Sequence, residues 1–451
     1  MSKPRTKATN PERTRTDRGS PLHIFDTRLH ADPSRVVLRP FHLGWQAHNA
    51  PGGRALRLVD DVSALSERQV HEEYAKVLAD FGERHWQTER LFLQRYEEVE
   101  TSLSLSGRRY SETRKQLIGA YFCHEYTYSA AALMNPSIVP HPDQSGMSDG
   151  ACRFIMSLRA VGEGHISSIA FREGIAEADG NFTLYPQSSF ATAVDLDDTS
   201  LSDCEDGVRV HRFEESSISN TVIFPITEQQ RGGLEDLRLV RFDHGPTDDG
   251  RPDYEWIGTY TAYSGSSIRS ELLRTRDFRA FELVPVNGAA GRNKGMALFP
   301  EKIGGRYAMI GRQDGKNLFL LKSDELDCWD EEGELLMEPQ YPWEFIQIGN
   351  CGSPIKTSEG WLVFTHGVGA MRKYALGCAL LDLDDPSKVI GRTREPVLTA
   401  VDADRAGYVP NVVYTCGALK VGERLLVPYG ISDSAVGFAT VTVDDLIGLM
   451  V

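Results

Sequence analysis

The pattern of apolar and polar positions divides the chain into an N-terminal helical part and a longer β part. Between residues 66 and 99, apolar residues recur at spacings of three and four positions, which predicts amphipathic helices. Ser66 and Gln69 fit a capping box at the start of the first of these helices. A third helix is predicted from Ser111 to Leu133, because the following Asn135-Pro136 disfavours helical backbone.

After Pro140 the chain consists of short apolar runs separated by glycine and turn residues, which indicates β-structure. Five runs end on a polar or aromatic residue: Arg153–Arg159, Trp256–Tyr263, Tyr307–Arg312, Trp361–His366 and Leu425–Tyr429. A second strand follows each run: Ile166–Phe171, Ser270–Thr275, Leu318–Lys322, Leu376–Leu381 and Phe438–Val443. The first spacing is longer than the others and includes an insertion at 176–230. Such repeats predict an all-β fold, a five-bladed β-propeller with an added N-terminal α-helical region.

The ends of the five runs carry candidate chemistry. Innermost strands of a propeller line a central channel, and we expect the five runs to be those strands. Their last residues would then ring a single pocket, and these residues are Arg159, Tyr263, Arg312, His366 and Tyr429. A lone arginine or histidine at a strand end is usually structural, but five such groups at matching repeat positions favour a shared site.

An acid pair precedes the second repeat, within Gly232–Arg238. Two glycines allow a sharp turn in front of Glu235 and Asp236, and Arg238 follows two residues after Asp236. On composition alone, a segment of this kind is more often a solvated turn. Its place after the insertion, just before a repeat, makes it a candidate for the reacting carboxylates.

Composition excludes several classes of protein. The net charge of −15 argues against nucleic acid as a partner, because phosphate backbones bind clustered lysine and arginine. No apolar run reaches membrane-spanning length, and the first 20 residues lack the apolar core of a secretory signal. The seven cysteines include no CxxC pair, and the histidines form no HxH or HExxH motif. We therefore expect a cytoplasmic protein without a disulfide framework and without a required metal.

Three segments are predicted from these patterns. Residues 1–20 are polar, basic and rich in turn formers, which is typical of a flexible tail. Residues 21–134 are expected to form a largely helical N-terminal extension, and residues 135–451 the five-bladed propeller. Amphipathic spacing leaves open whether the extension caps the pocket, mediates self-association or shields a face of the propeller.

The β part also resembles a known family. The motifs that carry the resemblance are Gly-Leu-Glu-Asp-Leu-Arg (233–238), Asn-Lys-Gly-Met-Ala-Leu-Phe-Pro-Glu-Lys-Ile (293–303), Gly-Asn-Cys-Gly-Ser-Pro-Ile-Lys (349–356), His-Gly-Val (366–368), Leu-Asp-Leu-Asp-Asp-Pro-Ser-Lys-Val-Ile-Gly-Arg (381–392), Tyr-Val-Pro-Asn-Val-Val-Tyr (408–414) and Pro-Tyr-Gly-Ile-Ser-Asp (428–433). In this order they are similar to glycoside hydrolase family 130 over roughly residues 135–451. Leu237 stands where many members of that family have proline.

The resemblance implies a five-bladed propeller that acts on β-mannosides, in most members as an inverting phosphorylase and in a minority as a hydrolase. Asp236 would be the general acid, acting through a sugar hydroxyl. Inorganic phosphate would be a co-substrate, with no further cofactor, held by Arg159, Lys294, Arg312, His366 and Tyr374. The substrate contacts would be Glu235, Arg238, Tyr263, Gln313 and Asp433. Glu235 would bind a sugar hydroxyl or fix Arg238, and Gln313 replaces the asparagine of several phosphorylases.

Phosphorolysis is favoured over hydrolysis because the cations are retained. A guanidinium binds phosphate through two parallel hydrogen bonds, whereas an inverting hydrolase needs a second carboxylate to activate water. Glu163 and Glu301 lie close enough in sequence to the motifs to pair with the cations or to serve as that base. A non-catalytic sugar-binding propeller is the second alternative. The linkage of the manno-oligosaccharide, β-1,2 or β-1,4, stays open, and family members often assemble, so a homo-oligomer is possible.

Overall fold

The computed structural model describes residues 13–16, 20–43, 53–197 and 207–451. Over these residues the chain is mostly β, with few helices. It divides into two compact units. The β unit comprises the described residues up to Asp32 together with 129–187 and 194–451, and the helical unit comprises 33–128 and 188–193.

The strands of the described residues, in chain order, are β1 (Arg13–Thr16), β2 (His23–Phe25), β3 (Leu29–His30), β4 (Val36–Pro40), β5 (Cys123–Thr127), β6 (Ala132–Pro140), β7 (Cys152–Val161), β8 (Ser167–Ala176), β9 (Phe182–Leu184), β10 (Phe190–Ala193), β11 (Asp195–Leu196), β12 (Val208–His211), β13 (Thr221–Ile223), β14 (Gly233–Pro246), β15 (Pro252–Tyr263), β16 (Ile268–Thr275), β17 (Ala280–Pro285), β18 (Ala297–Leu298), β19 (Tyr307–Gly311), β20 (Leu318–Ser323), β21 (Glu334–Met337), β22 (Gln347–Asn350), β23 (Ile355–Lys356), β24 (Trp361–Gly369), β25 (Lys373–Leu381), β26 (Val389–Arg392), β27 (Leu398–Thr399), β28 (Val413–Tyr414), β29 (Leu419–Val421), β30 (Arg424–Ile431) and β31 (Ala435–Thr442). The α-helices are α1 (Arg54–Ser63), α2 (Glu67–Phe81), α3 (Thr88–Ser102), α4 (Glu112–Tyr121) and α5 (Val443–Ile447).

The helical unit combines α1 to α4 with a small sheet, in which β4 pairs antiparallel with β5 and parallel with β10. The predicted capping box is confirmed, because the Ser66 side chain accepts a hydrogen bond from the backbone N–H of Gln69 and the Gln69 side chain accepts one from Ser66. Each of the four helices contributes to one apolar core; examples are Val59, Val70, Tyr96 and Ile118.

The predicted helix from Ser111 to Leu133 is wrong beyond Tyr121. Helix α4 ends there, residues 123–127 form β5, and β6 begins at Ala132. Strand β5 pairs along its whole length with β4, so ladder hydrogen bonds replace helical ones. The partner strand lies far away in sequence, and a local pattern therefore could not reveal it. Aromatic and β-branched residues such as Tyr126 and Thr127 favour this outcome.

The β unit is built from five groups of antiparallel strands. The five predicted hairpins are confirmed: β7–β8, β15–β16, β19–β20, β24–β25 and β30–β31. One earlier strand pairs with the first strand of each hairpin, namely β6, β14, β18, β22 and β28. On the other side of the hairpins lie β9, β17, β21, β26 and β2. The described strands form no closed sheet.

The five apolar runs are therefore the second strands of their groups. The sequence predicts them as the first, innermost strands, whereas in the structure an earlier strand precedes each of them. The first strands escape a periodicity analysis for two reasons. Strands β18 and β28 have only two residues each, and the register of β6 is interrupted. Of β14, only Leu239–Phe242 shows a strand-like run in the sequence. Short or interrupted strands show little regular alternation of apolar and polar positions.

The N-terminal strands belong to the β unit and not to the helical extension predicted for residues 21–134. Both β2 and β3 pair antiparallel with β31, the last strand of the chain. An unpaired edge of β31 would expose its backbone groups, which explains why a distant segment covers it. Of the tail predicted to be flexible, residues 1–12 and 17–19 lie outside the described residues, whereas β1 pairs with β2.

The core of the β unit lies between successive strand groups. Buried clusters join each group to the next, through pairs such as Ile155 and Leu273, Ile257 and Met309, Ile310 and Val363, and Leu362 and Val427. Phe182 of the first group packs on Phe438 of the last, with ring centroids 4.5 Å apart. No helix in the described ranges has the length and apolar character needed to cross a membrane.

Phe25 tests the structural role of strand β2. Its side chain is fully buried and meets the Phe182 ring edge-on, with centroids 5.0 Å apart. We expect Phe25→Ala to lower the free energy of unfolding by about 3–5 kcal/mol, because it leaves a cavity. Urea unfolding of the full chain measures the loss. Phe345→Ala removes a ring that is 60% exposed and should cost less than about 1 kcal/mol; equal losses would contradict the assignment.

Candidate active site

One polar cavity of about 240 Å³ lies where the first strands of the five groups meet. Its lining includes Asn135 on β6, Asp236 on β14, Met296 before β18, Asn350 on β22 and Tyr414 on β28. Second strands contribute as well, through Arg159 on β7 and His366 on β24. Residues far apart in sequence therefore share one site, because each of the five strand groups contributes lining residues to the same cavity.

Most of the predicted site residues line this cavity. They are Arg159, Glu235, Asp236, Arg238, Lys294, Arg312, His366, Tyr374 and Asp433. Tyr263 and Gln313 are not among the lining residues. Tyr263 closes the β15–β16 hairpin, where its hydroxyl donates to the carbonyl of Gly265 at 2.9 Å. Tyr429, expected in the same ring, is buried in the core of the fourth and fifth groups.

Two strand irregularities aim Asp236 and Asn135 at each other. The pairing register of β14 shifts at Asp236, whose φ of 56° is in the left-handed region. A corresponding shift on β6 occurs at Asn135, whose φ is 48°. Asn135 Nδ2 donates to Asp236 Oδ1 at 2.7 Å. Bulges redirect side chains at a cost in backbone energy, so this contact is a product of both bulges.

Arg159 holds the acid pair. Its Nη2 lies 2.7 Å from Glu235 Oε1, and its Nη1 lies 3.4 Å from Asp236 Oδ1. Burial raises the pKa of Glu235, although Arg159 opposes the shift. Burial acts in the same direction on Asp236, but Arg159, the hydrogen bond from Asn135 and the charge of Arg238 together hold the pKa of that carboxyl below its usual value. The two neighbouring carboxyls therefore ionise differently.

Arg238 has a partner other than Glu235. It donates through Nη2 to the hydroxyl of Tyr414, and its guanidinium carbon lies 6.0 Å from the Tyr414 ring centroid. Among the described residues, Glu235 pairs with Arg159 and forms no ion pair with Arg238. Burial alone would lower the pKa of Arg238, but the neighbouring Tyr414, Cys416 and Asp236 raise it.

His366 lies between two tyrosine rings. Tyr374 stacks on it with centroids 5.8 Å apart and planes 14° apart, and Tyr414 meets it edge-on at 4.9 Å. Burial, followed by the charges of Arg312 and Arg238, holds the pKa of His366 well below its usual value. His366 is therefore a neutral imidazole, which can donate a hydrogen bond to a ligand without adding charge.

Asp433 is a carboxyl whose pKa is raised toward neutral pH. Burial, and after it the charge of Asp236, raises the pKa of Asp433 to about 6, although Arg159 and Arg372 oppose the shift. Asp433 and Arg372 have φ values of 51° and 53°, as unfavourable as those of Asn135 and Asp236. Strain of this kind persists only where the surrounding structure holds it, and it concentrates at functional sites.

Several buried polar atoms at the cavity have no hydrogen-bond partner among the described residues. They are Asn135 Oδ1, Arg238 Nη1 and Asn350 Nδ2. Each of the three residues is more than nine-tenths buried. An unmade buried hydrogen bond costs about 1–3 kcal/mol, so these atoms point to a polar ligand that completes them.

Comparison with known proteins identifies the family. The family model of glycoside hydrolase family 130, described as β-1,4-mannooligosaccharide phosphorylase, matches residues 182–451, more than half of the chain. The chain belongs to this family. A 1,2-β-oligomannan phosphorylase from Thermoanaerobacter sp. is 33% identical over 253 residues, which cover 54% of this chain and 77% of that protein. A β-1,4-mannooligosaccharide phosphorylase from Ruminococcus albus is 31% identical over 234 residues, 49% of this chain and 69% of that protein.

A solved family 130 structure is similar in fold. It comes from work on glycoside hydrolases of this family that target β-1,2 mannosidic linkages in Candida mannan, and its TM-score to this chain is 0.50. The match covers 71% of this chain and 87% of the other at 19% identity. At that identity the likeness shows the fold alone. The family predicted from the sequence motifs is confirmed.

This family 130 site contains residues that the sequence analysis did not single out. They are Asn135, Asn350, Arg372 and Tyr414. Asn350 and Tyr414 lie within motifs that carry the family resemblance, so the signal was present without a role attached. Asn135 and Arg372 have no local signal, because a bulge and a hairpin turn aim them at the cavity.

The candidate bases for hydrolysis lie outside the cavity. Glu163 is exposed in the β7–β8 turn, and Glu301 pairs with Lys356 at 2.5 Å. The lining carboxylates are Glu235, Asp236 and Asp433. No cluster of three or more histidine, cysteine, aspartate or glutamate residues within the described ranges is arranged to hold a metal ion.

The raised pKa of Asp433 predicts that the stability of the protein depends on pH. Its pKa of about 6 exceeds the unfolded value of about 3.9, so the folded state binds the proton more tightly and loses stability as pH rises between these values. Without ligands, Asp433→Asn should be more stable than the wild type at pH 7.5, by about 1–3 kcal/mol. Thermal unfolding should show this gain shrink at pH 4.5. Asp248→Asn, in an exposed turn, is the control. A gain of equal size at both pH values would contradict the shift.

Proposed function

We propose that this chain is an inverting β-mannoside phosphorylase, which cleaves β-linked manno-oligosaccharides with inorganic phosphate and releases mannose 1-phosphate. The charge of the cavity lining carries the proposal. Five cations, Arg159, Arg238, Lys294, Arg312 and Arg372, face three carboxylates, Glu235, Asp236 and Asp433. A phosphate dianion would balance this surplus, whereas a water molecule would leave it uncompensated. The two phosphorylases similar to this chain support the same reaction.

We propose further that the five strand groups are the blades of a five-bladed propeller. The core clusters between successive groups support this arrangement, and so does the Phe182–Phe438 contact between the first and last groups. The cavity at the first strands would then lie at the centre of the ring. Residues 135–451 would form the catalytic domain, completed by strands β2 and β3 from the N-terminal side.

The proposed reaction exchanges one bond at the anomeric carbon of the mannosyl unit. The bond to the leaving oxygen breaks while a phosphate oxygen bonds to the carbon from the opposite face. We assign proton delivery to the leaving oxygen to Asp236, through a sugar hydroxyl. The proton of hydrogen phosphate replaces the one that Asp236 gives up. The products are therefore a neutral sugar and a sugar phosphate dianion, which balances atoms and charge.

Phosphate itself would prepare Asp236 for this role. In the free cavity the low pKa of Asp236 disfavours a proton donor, because Arg159, Arg238 and Lys294 stabilise the ionised form. A dianion bound among these cations would compensate their charge and raise the pKa of Asp236. Acid catalysis is most effective when the pKa approaches the working pH. The acid would thus become competent when its co-substrate is present.

The remaining lining residues divide between the two ligands. We assign phosphate to Arg159, Lys294, Arg312, His366 and Tyr374, with His366 as a neutral donor. We assign the mannosyl hydroxyls to Glu235, Arg238 and Asp433. Hydrogen bonds to ionised groups contribute more than neutral ones, so both subsites can bind strongly in a cavity of this size.

Hydrolysis of the same bond is the alternative reaction. An inverting hydrolase needs a carboxylate base besides its acid. Glu235 is engaged by Arg159 at 2.7 Å, so a hydrolase would have to use Asp433. The excess of cations has no role in that chemistry, which is why we favour phosphorolysis.

The products decide between these reactions. The protein is incubated with β-1,2- and β-1,4-mannobiose, with and without phosphate, and the products are separated by chromatography. We expect mannose 1-phosphate and one free mannose per bond cleaved, only in the presence of phosphate, because the cations of the cavity bind the anion. Two free mannoses in phosphate-free buffer would instead show hydrolysis. No turnover of either disaccharide would favour a sugar-binding protein.

Asp236→Asn tests the proton donor. We expect kcat to fall by about 100-fold or more, since general acid catalysis typically contributes a factor of this size. Initial rates of phosphate-dependent cleavage measure the effect. Asp243→Asn changes another aspartate of strand β14, which lies outside the cavity lining, and should leave kcat near the wild-type value. Near-normal turnover of Asp236→Asn would exclude the proposed acid.

A further inference from the structure

The cavity is small for the complete set of substrates. Its volume of about 240 Å³ lies below the range of roughly 300–1,000 Å³ that encloses most organic ligands. If phosphate and one mannosyl unit occupy it, as the proposed function requires, the leaving sugar must lie at the mouth of the cavity. What borders the mouth therefore bears on acceptor specificity, and this inference rests on the proposed function.

Three of the segments that adjoin the lining residues are connections between strands. The β7–β8 turn follows two residues after Arg159, and the β24–β25 turn contains Arg372 itself. The loop between β27 and β28 ends at Val412, another lining residue. A sugar that extends out of the cavity on this side would pass along them.

An aromatic pair connects two of the three segments. The ring of His165 in the β7–β8 turn lies 6.1 Å from the ring of Tyr408 in the β27–β28 loop, with planes 34° apart. Tyr408 is 69% exposed, so much of this large ring is open to a ligand. Tyr408 belongs to the family motif at 408–414 and takes no part in the proposed proton transfer or phosphate binding.

The backbone fixes Tyr408 next to Asp433. Val409 N–H donates to the carbonyl of Ser432 at 3.0 Å, and the Ser432 hydroxyl donates to the carbonyl of Asp404. Gly407 packs so closely on Ser432 that a Cβ at position 407 would collide with it. Contacts thus hold the backbone on both sides of Tyr408. A tyrosine side chain has only two rotatable bonds and loses little entropy when it binds a ligand.

We propose that Tyr408, supported by His165, is the platform on which the leaving sugar of the donor, or the acceptor sugar of the reverse reaction, is positioned. One face of a pyranose presents C–H groups that pack on an aromatic ring, while the tyrosine hydroxyl and the imidazole can bind sugar hydroxyls. Tyr408 takes no part in proton transfer or phosphate binding. It is a positioning residue that sets the affinity for the acceptor.

The reverse reaction tests this role. Phosphate release is measured from mannose 1-phosphate with mannose or mannobiose as acceptor. We expect Tyr408→Ala to raise the KM for the acceptor about tenfold, which corresponds to about 1.4 kcal/mol. The KM for mannose 1-phosphate and the kcat at saturating acceptor should stay within about twofold. Tyr408→Phe keeps the ring and should keep the acceptor KM within about threefold of the wild type.

Phe41→Ala is the matched control. Phe41 is an exposed ring of the helical unit that also lies against a histidine, His124, at 5.6 Å, and its loss should change neither KM. An unchanged acceptor KM in Tyr408→Ala would overturn the proposal. A uniform loss of kcat with a lowered melting temperature would also overturn it. A change of oligomeric state alone would overturn it as well, because the exposed ring would then be part of a protein interface. A wild-type protein that releases no phosphate with any acceptor would refute the phosphorylase function itself.

Discussion

The ion pair between Arg159 and the neighbouring Glu235 and Asp236 is the interaction on which the site depends. Two partly buried carboxylates side by side disfavour each other's ionisation, and Arg159 compensates both, at 2.7 Å and 3.4 Å. The guanidinium comes from the first strand group and the acids from the second. The same contact therefore joins two groups and sets the charge of the cavity.

Several features of the cavity are unfavourable in free energy when no ligand is bound. Asn135, Asp236, Arg372 and Asp433 keep left-handed backbone conformations, and buried polar atoms of Asn135, Arg238 and Asn350 lack partners among the described residues. These costs are offset by the packing between strand groups, which fixes the strands that carry them. A ligand that supplies charge and hydrogen bonds would therefore find its partners already in place.

Charge and shape divide the site into zones. His366 stays neutral between Tyr374 and Tyr414 because burial and two arginines disfavour its protonated form. The cations are concentrated in the cavity, whereas the exposed ring of Tyr408, which we propose as a sugar platform, is not part of the lining. An anion and one sugar would meet the polar interior, and a second sugar would meet the aromatic surface outside.

The sequence by itself determined the family, the five hairpins and most of the charged residues that line the cavity, because strand alternation, capping and motif order are local properties of the chain. Only the tertiary structure decided what depends on distant partners. Residues 123–127 form strand β5 in place of a predicted helix because they pair with β4. Strand β2 pairs with β31, the last strand of the chain. Bulges aimed Asn135 and Asp236 at each other, while Tyr263 and Tyr429, at matching repeat positions, packed elsewhere. A repeat position specifies a place on a strand, and the direction of a side chain follows from register and packing, which no single segment contains.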